Sequence, residues 1–317
     1  MANPHLGHDS AVWRDELSGS FPPPKSYAEE FELQWKLALE GNADYYDDPG
    51  VSLQEREIHD RVFEWTGRYP ETAGSDKPSA GVTPLDRPID PELIRGRECI
   101  DIGCGIGRWT KVMMALGARS VLSVDLSDSA IRSVSRFNPD VLRADIMTIP
   151  EEHPELVGRF DFANFWGVAM LTHDPRKAFM SAASTVRPGG ALYLMVYAPG
   201  GMGGEPEGVR KRRHFHALAT VEEKLAYVDH LHDRRWERGA PLLENVKNQA
   251  RNLLGRPKEG KIGLLDMLEP FYTWMIPLDV IEGWMRSAGF SRMELLNESV
   301  SWKGSYEVLG YKDRAKP

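Results

Sequence analysis

From residue 97 onward, short apolar runs alternate with amphipathic stretches. Residues 99–102, 119–125, 141–146, 160–167 and 191–197 are rich in Val, Ile, Leu and aromatic side chains and read as buried strands. Between them, Trp109, Val112, Met113 and Leu116 recur on one helical face that stops at Gly117. Ser127 caps a helix through Phe137, and Asp174-Pro175 opens another through Val186, with proline at the first helical position. Arg187-Pro-Gly-Gly190 then turns the chain into 191–197, and 278–288 forms a helix that stops at Gly289. Alternating strands and helices predict an α/β fold around a parallel sheet. Segments 290–296 and 306–312 follow each other with no helix between, so they read as an antiparallel pair.

The flanking regions carry their own signals. Residues 1–25 are polar, with Phe21-Pro-Pro-Pro24 as an extended linker, and no regular element is expected there. Ser26-Tyr-Ala-Glu29 is a capping box that opens a helix ending at Gly41, with Tyr27, Phe31, Trp35 and Ala38 or Leu39 along one face. That helix packs on the sheet or, together with Asp44-Tyr-Tyr-Asp-Asp48, closes over a ligand as a lid; both are compatible. Ser52-Leu-Gln-Glu55 starts a second helix to about Thr66, and 68–91 is a proline-rich surface connection. Gly200-Gly-Met-Gly-Gly204 is a hinge. Beyond it, Thr220-Val-Glu-Glu223 caps a helix with Leu225, Val228 and Leu231 on one face, and Pro241 starts another through Leu254. The aromatic-rich stretch 264–274 is expected to be irregular. The organisation is a helical N-terminal extension or lid (1–91), a core (92–199), a helical inserted cap (200–275) and the end of the core (276–317).

Composition narrows the function. The chain has 317 residues and a formal net charge of −8, which argues against a nucleic-acid partner. No apolar stretch is long enough to span a membrane, and the N-terminus lacks a basic region followed by an apolar run, so no membrane partner and a cytoplasmic location are expected. Cys99 and Cys104 are the two cysteines, and a disulfide between them is not expected. Residues 205–270 hold 13 Lys/Arg against 11 Asp/Glu, more basic than the rest. Within them, Arg210-Lys-Arg-Arg213 is a solvated face, or supplies an arginine for a carboxylate or phosphate on a substrate.

The candidate chemistry centres on Asp101-Ile-Gly103-Cys-Gly105-Ile-Gly107, a glycine-rich turn between a strand and a helix whose free N–H groups face a ligand. A dinucleotide site wants G-x-G-x-x-G, and Arg108 stands where its third glycine would fall. Alternating glycines behind an acidic residue suit a smaller ligand with an amino-acid tail. Asp125, at the end of the second strand, is placed to accept both hydroxyls of a ribose. Asp145 ends the third strand.

This pattern over roughly 97–198 resembles that of the class I S-adenosylmethionine (SAM) methyltransferases. The resemblance implies a Rossmann-like, seven-stranded, mostly parallel sheet of order 3-2-1-4-5-7-6 with an antiparallel last strand, helical additions that build an acceptor pocket, and SAM as cofactor. It implies a cofactor site of Asp101, Gly103, Cys104, Gly105, Gly107, Trp109, Asp125, Leu126, Asp145, Ile146, Trp166 and Trp35. Phe31-Glu-Leu-Gln-Trp35, then Gly167-Val168 with His173 and Pro175, and Asp266, Pro270 and Tyr272 are similar to stretches of bacterial small-molecule and surface-sugar methyltransferases.

Methyl transfer from a sulfonium is an in-line displacement, so alignment is the main requirement. An alcohol acceptor also needs a base; His173 is the candidate, with Tyr197 and Tyr272 beside it as catalytic candidates. A thioether such as that of methionine needs no base, only aromatic faces or carboxylates around the new cation, which Trp35, Tyr45, Tyr46, Trp166, Tyr197, Tyr272 and Trp274 supply. The expected partner is a small-molecule acceptor, with a homo-oligomer possible. Sugar O-methylation and a non-catalytic SAM-binding module are the alternatives. No metal site is expected, because His214/His216 and His230/His232/Asp233 are poorly spaced on helices.

Overall fold

The computed structural model describes residues 13–14, 17, 20–23, 27–40, 51–70, 78–79, 82–199, 206–254, 260–299 and 304–314. The hinge 200–204, the tyrosines at 45 and 46 and the capping serine at 26 lie outside them. Seven strands form one sheet: β1 (Glu98–Ile102), β2 (Ser120–Asp125), β3 (Val141–Arg143), β4 (Phe160–Trp166), β5 (Val186–Tyr197), β6 (Phe290–Leu295) and β7 (Ser305–Lys312). Their order is β3-β2-β1-β4-β5-β7-β6. The first five run parallel, and β7 lies antiparallel to both of its neighbours. The expected topology is therefore the observed one.

Alternation along each strand divides the core between the two faces of the sheet. Ile100, Ala163, Phe165, Leu192 and Leu194 belong to one layer, which packs on α6 (Pro175–Ser184) and α11 (Leu278–Ser287). Cys99, Phe162, Ala191 and Tyr193 belong to the other, against α2 (Val51–Thr66) and α3 (Arg108–Ala115). Trp65, Trp109 and Trp166 form a row there: Trp65 stacks on Trp109 with centroids 4.7 Å apart, and Trp109 meets Trp166 at 5.3 Å. Cys99 and Cys104 are buried free thiols.

A third, smaller cluster joins α1 (Tyr27–Leu39) to helices of the inserted region: α7 (Pro206–Ala217), α8 (Val221–His232) and α10 (Lys261–Leu268). It is built from Leu37, Phe215, Tyr227, Val228, Leu264, Leu265 and Leu268. Thr220 and Glu223 close the expected capping box on α8. The remaining helices are α4 (Asp128–Val134), the single turn α5 (Ile149–Glu152) and α9 (Leu242–Leu253).

Several local expectations need correction. The first part of the stretch 264–274 is helical, not irregular: α10 runs from Lys261 to Leu268, because Leu264, Leu265 and Leu268 pack against Leu37, Phe215 and Val228 of α1, α7 and α8. The basic run 210–213 sits on α7, and its Arg212 is buried, donating to the carbonyls of Pro270 and Phe271. Arg210 is held by Glu237 and Glu244, and Lys211 by Glu207 and Glu244. The run is thus neither a plain solvated face nor a set of uncommitted cations. Strand β3 stops at Arg143, and α4 ends at Val134; beyond it Asn138 ties the turn to β2 by donating to Val121 O at 2.8 Å. Arg187-Pro-Gly-Gly190 lies within β5 across an irregular register. Trp13–Arg14, in the region expected to lack structure, pairs antiparallel with Thr273–Trp274.

Candidate functional site

The carboxyl ends of β1 to β5 open into one cavity of about 350 Å³. Its floor is the glycine turn. Gly103 and Gly105 have φ of +71° and +52°, which only glycine adopts cheaply. A Cβ at Gly103 would stand 2.4 Å from Val168 Cγ2, and one at Gly105 would stand 2.9 Å from Trp35 Cζ2. We expect Gly103→Ala to lower stability by about 2 kcal/mol through strain and displacement of Val168. Denaturant unfolding checks this.

The free N–H groups expected of the turn are largely committed. Gly103 and Cys104 both donate to Val124 O, Gly107 to Cys104 O, and Gly105 to Asp125 Oδ2 at 2.9 Å. The turn is therefore held tightly, and its lack of side chains lets Val168 and Trp35 close onto it. Asp125 also accepts from Ser127 N at 2.9 Å, and burial pushes its carboxyl above the usual range. Asp145, just past β3, accepts from Met147 N at 2.9 Å and lines the wall with Ile146.

Trp35, Gly103, Cys104, Gly105, Trp109, Asp125, Leu126, Asp145, Ile146, Trp166 and Tyr197 all line this cavity. Asp101, Gly107, His173 and Tyr272 do not. Asp101 is fully buried below the turn, accepting from Thr110 Oγ1 at 2.6 Å and Asn164 Nδ2 at 2.7 Å, so it ties β1 to α3 and β4. Burial raises its pKa to about 6. Gly107 starts α3, and a Cβ there would meet Phe137 and Val134. His173 is exposed because its neighbour Thr172 turns inward, bonding Ala169 O at 2.9 Å. Its ring centre lies 6.5 Å from that of Tyr272.

Other lining residues were not singled out from the sequence as a site. Phe31 and Gln34 come from α1, Arg108 from the start of α3, Met170 to Thr172 from the loop after β4, and Ile262 and Asp266 from α10. Gln34 and Asp266 stood in the two motifs noted above, which was the available signal. Gln34 donates from Nε2 to Asp266, and its buried Oε1 lacks a partner among the described residues. Asp266 reaches solvent through the cavity, yet protein crowds its other sides, and this burial pushes its carboxyl pKa up. Burial, then the nearby Asp266 charge, pushes Tyr197 up to about 12. Arg108 pairs with Glu57 at 2.9 Å. Helix α1 is pinned across the cavity by Glu32, which accepts from Ser127 Oγ at 2.7 Å and from Ser129 Oγ.

Among the described residues, no group of three His, Cys, Asp or Glu is placed to hold a metal ion. His214 packs on Tyr227, and His216 faces Leu268 O at 3.1 Å. No described helix is long and apolar enough to cross a membrane.

Residues 83–291, well over half of the chain, match the family model described as "Methyltransferase domain". The chain belongs to this family and, by its sheet order and site, to the class I SAM-dependent methyltransferases. Among curated relatives, the ubiquinone biosynthesis O-methyltransferase of Bordetella avium is 25% identical over 155 residues, covering 46% of this chain and 62% of that protein. The tRNA U34 carboxymethyltransferase of Pseudoalteromonas translucida is 33% identical over 109 residues, covering 32% and 33%. The chain thus spans less than two thirds of the length of these relatives. Human N-acetylserotonin methyltransferase in complex with SAM superposes with a TM-score of 0.45 at 12% identity, over 95% of this chain and 62% of that one.

The residues lining the cavity fit SAM. A carboxylate, Asp125, lines the cavity at the end of the second strand beside the glycine turn, and Gln34 Oε1 in the wall is a buried acceptor with no partner among the described residues.

Proposed function

We propose that the chain transfers a methyl group to a small-molecule acceptor bearing an oxygen or sulfur nucleophile. The observation that carries this reading is one shared cavity, in which the glycine turn, Asp125, Asp145 and Tyr197 of the sheet share a lining with Phe31 of α1 and Asp266 of α10. When bound, SAM supplies an electrophilic methyl on a sulfonium. Asp125 is assigned to its ribose hydroxyls, Asp145 and Ile146 to its base, and Arg108 to its carboxylate, each by charge and place on the wall. Trp35, closing over Gly105, and Glu32, anchoring α1 to the head of α4, exclude water from the reacting end.

For an oxygen acceptor, Asp266 rather than His173 is the base in reach, since it lines the cavity and its raised pKa strengthens it as a proton acceptor. A thioether acceptor is the second reading. It draws on the aromatic walls of Trp35, Trp166 and Tyr197 together with the Asp266 carboxylate. Arg210, Lys211 and Arg212 are committed to internal partners, so an acidic group on the acceptor is not assigned to them. The inserted region instead presents a carboxylate.

The test is release of S-adenosylhomocysteine from labelled SAM across a panel of amino acids, thioethers, hydroxy acids and sugars. Turnover with one class and none with the others defines the acceptor; tight SAM binding without turnover on any of them sinks the reading. With an acceptor in hand, we expect Asp266→Asn to lower kcat by ~10²-fold or more for an oxygen nucleophile, within the usual range for a lost base. Affinity for S-adenosylhomocysteine stays unchanged. Retained kcat selects the base-free thioether reading.

A further inference from the structure

Helix α9 turns its polar side chains toward the protein. Asn245 is buried, accepting from Glu237 N at 2.8 Å and donating to Glu237 O at 2.9 Å. Gln249 donates to Arg234 O at 2.9 Å, Asn252 to Asp233 O at 3.0 Å, and Glu244 holds Arg210 and Lys211. The large apolar residues face outward: Leu242, Leu243, Val246, Leu253 and Leu254 are 50 to 88% exposed, with exposed Ala250 among them. A contiguous apolar ridge of this kind marks an interaction surface.

The ridge reads the same from both ends. Leu242 and Leu254, Leu243 and Leu253, and Val246 and Ala250 are each equidistant in sequence from Asn248. A two-fold axis at Asn248 would set every leucine against a leucine of an antiparallel second helix, and branched Val246 against small Ala250. Positions 243, 246, 250 and 253 also have the three-four-three spacing of a knobs-into-holes seam. Self-complementarity about one point is what an isologous contact requires. We propose that α9 is a self-association surface, pairing antiparallel with α9 of a second copy of this chain.

At roughly 100 Å² for each large residue, the ridge offers about 500 Å² per copy, against ~800 Å² per partner in a standard interface. The pairing is therefore reversible and depends on concentration. Lys247 and Arg251 occupy one flank, and an antiparallel pair brings like flanks together, so salt strengthens the contact by screening them.

The experiment is sedimentation velocity on the full chain over a broad micromolar series, with and without added salt. A monomer–dimer equilibrium is expected, abolished in the double variant Leu243→Glu with Leu253→Glu. Both positions are exposed, so that variant should melt within a few degrees of the parent, which thermal unfolding verifies. Separately prepared Leu243→Cys and Leu253→Cys chains, mixed and oxidised, should crosslink far better than either alone, because each position meets the other across the axis. The buried Cys99 and Cys104 stay out of that reaction. A chain that is monomeric throughout, a dimer untouched by the glutamates, or self-crosslinking of Leu243→Cys alone overturns the proposal. A monomer that binds phosphatidylglycerol vesicles but not phosphatidylcholine vesicles overturns it too, and assigns the ridge to an anionic lipid surface.

Discussion

Asp125→Ala should weaken S-adenosylhomocysteine binding by about 100-fold, measured by titration calorimetry. The carboxylate lines the cavity at the end of β2, where it is assigned to two ribose hydroxyls. Hydrogen bonds to a charged group are each worth about 1.5 kcal/mol or more, and two of them make two decades of affinity at ~1.4 kcal/mol per decade. The same carboxylate also accepts from Gly105 N and Ser127 N, so the variant loosens the turn as well. Asp125→Asn keeps one acceptor and the volume, and should fall between parent and alanine. A change under threefold in the alanine variant would remove Asp125 from the cofactor site.

Glu307→Gln should stabilise the protein above pH 7 and leave it nearly unchanged at pH 5. Glu307 lies on β7 and accepts from the buried Tyr193 hydroxyl. Burial is the largest influence on it, and its pKa is raised to about 7 from 4.5. The folded chain therefore holds this proton more tightly than the unfolded chain. The stabilisation from Glu307 is complete below pH 4.5 and is lost as pH climbs through 7. The swing is about 3 kcal/mol at most. Glutamine keeps an acceptor for Tyr193 without a charge to desolvate, so its melting temperature should vary less between pH 5 and 8 than that of the parent. Carboxylates with lowered pKa, such as Glu32 and Glu237, act in the opposite sense at acid pH but are common to both proteins. Parallel curves for the two proteins would show that Glu307 ionises normally.

The sheet was legible because its central strands β1, β4 and β5 are largely buried and its turns are punctuated by glycine, proline and aspartate. Ser127, Asp174 and Thr220 cap α4, α6 and α8 as their side chains dictate. Asp125, Asp145 and the glycine turn could be placed because position along a parallel sheet determines which crevice they face. The cap was less legible. Its polar and apolar periodicities answer to partners distant in sequence: Arg212 is buried against carbonyls 58 and 59 residues away, and Asp266 meets Gln34 across 232 residues. His173 lies outside the cavity lining for a local reason, since the loop after β4 turns Thr172 inward and leaves the next side chain exposed.

The antiparallel β7 has a bearing on how the chain is made. It is the last of the seven strands to be synthesised, yet it lies between β5 and β6 and bonds to both. Until it emerges, β5 keeps an open edge and the carboxyl-terminal flank of the sheet has no seam. A nascent chain can therefore assemble the β1–β5 half before β7 emerges, but the sheet is completed only afterwards. The interval between the two is when an exposed β5 is most open to pairing with a neighbouring polypeptide.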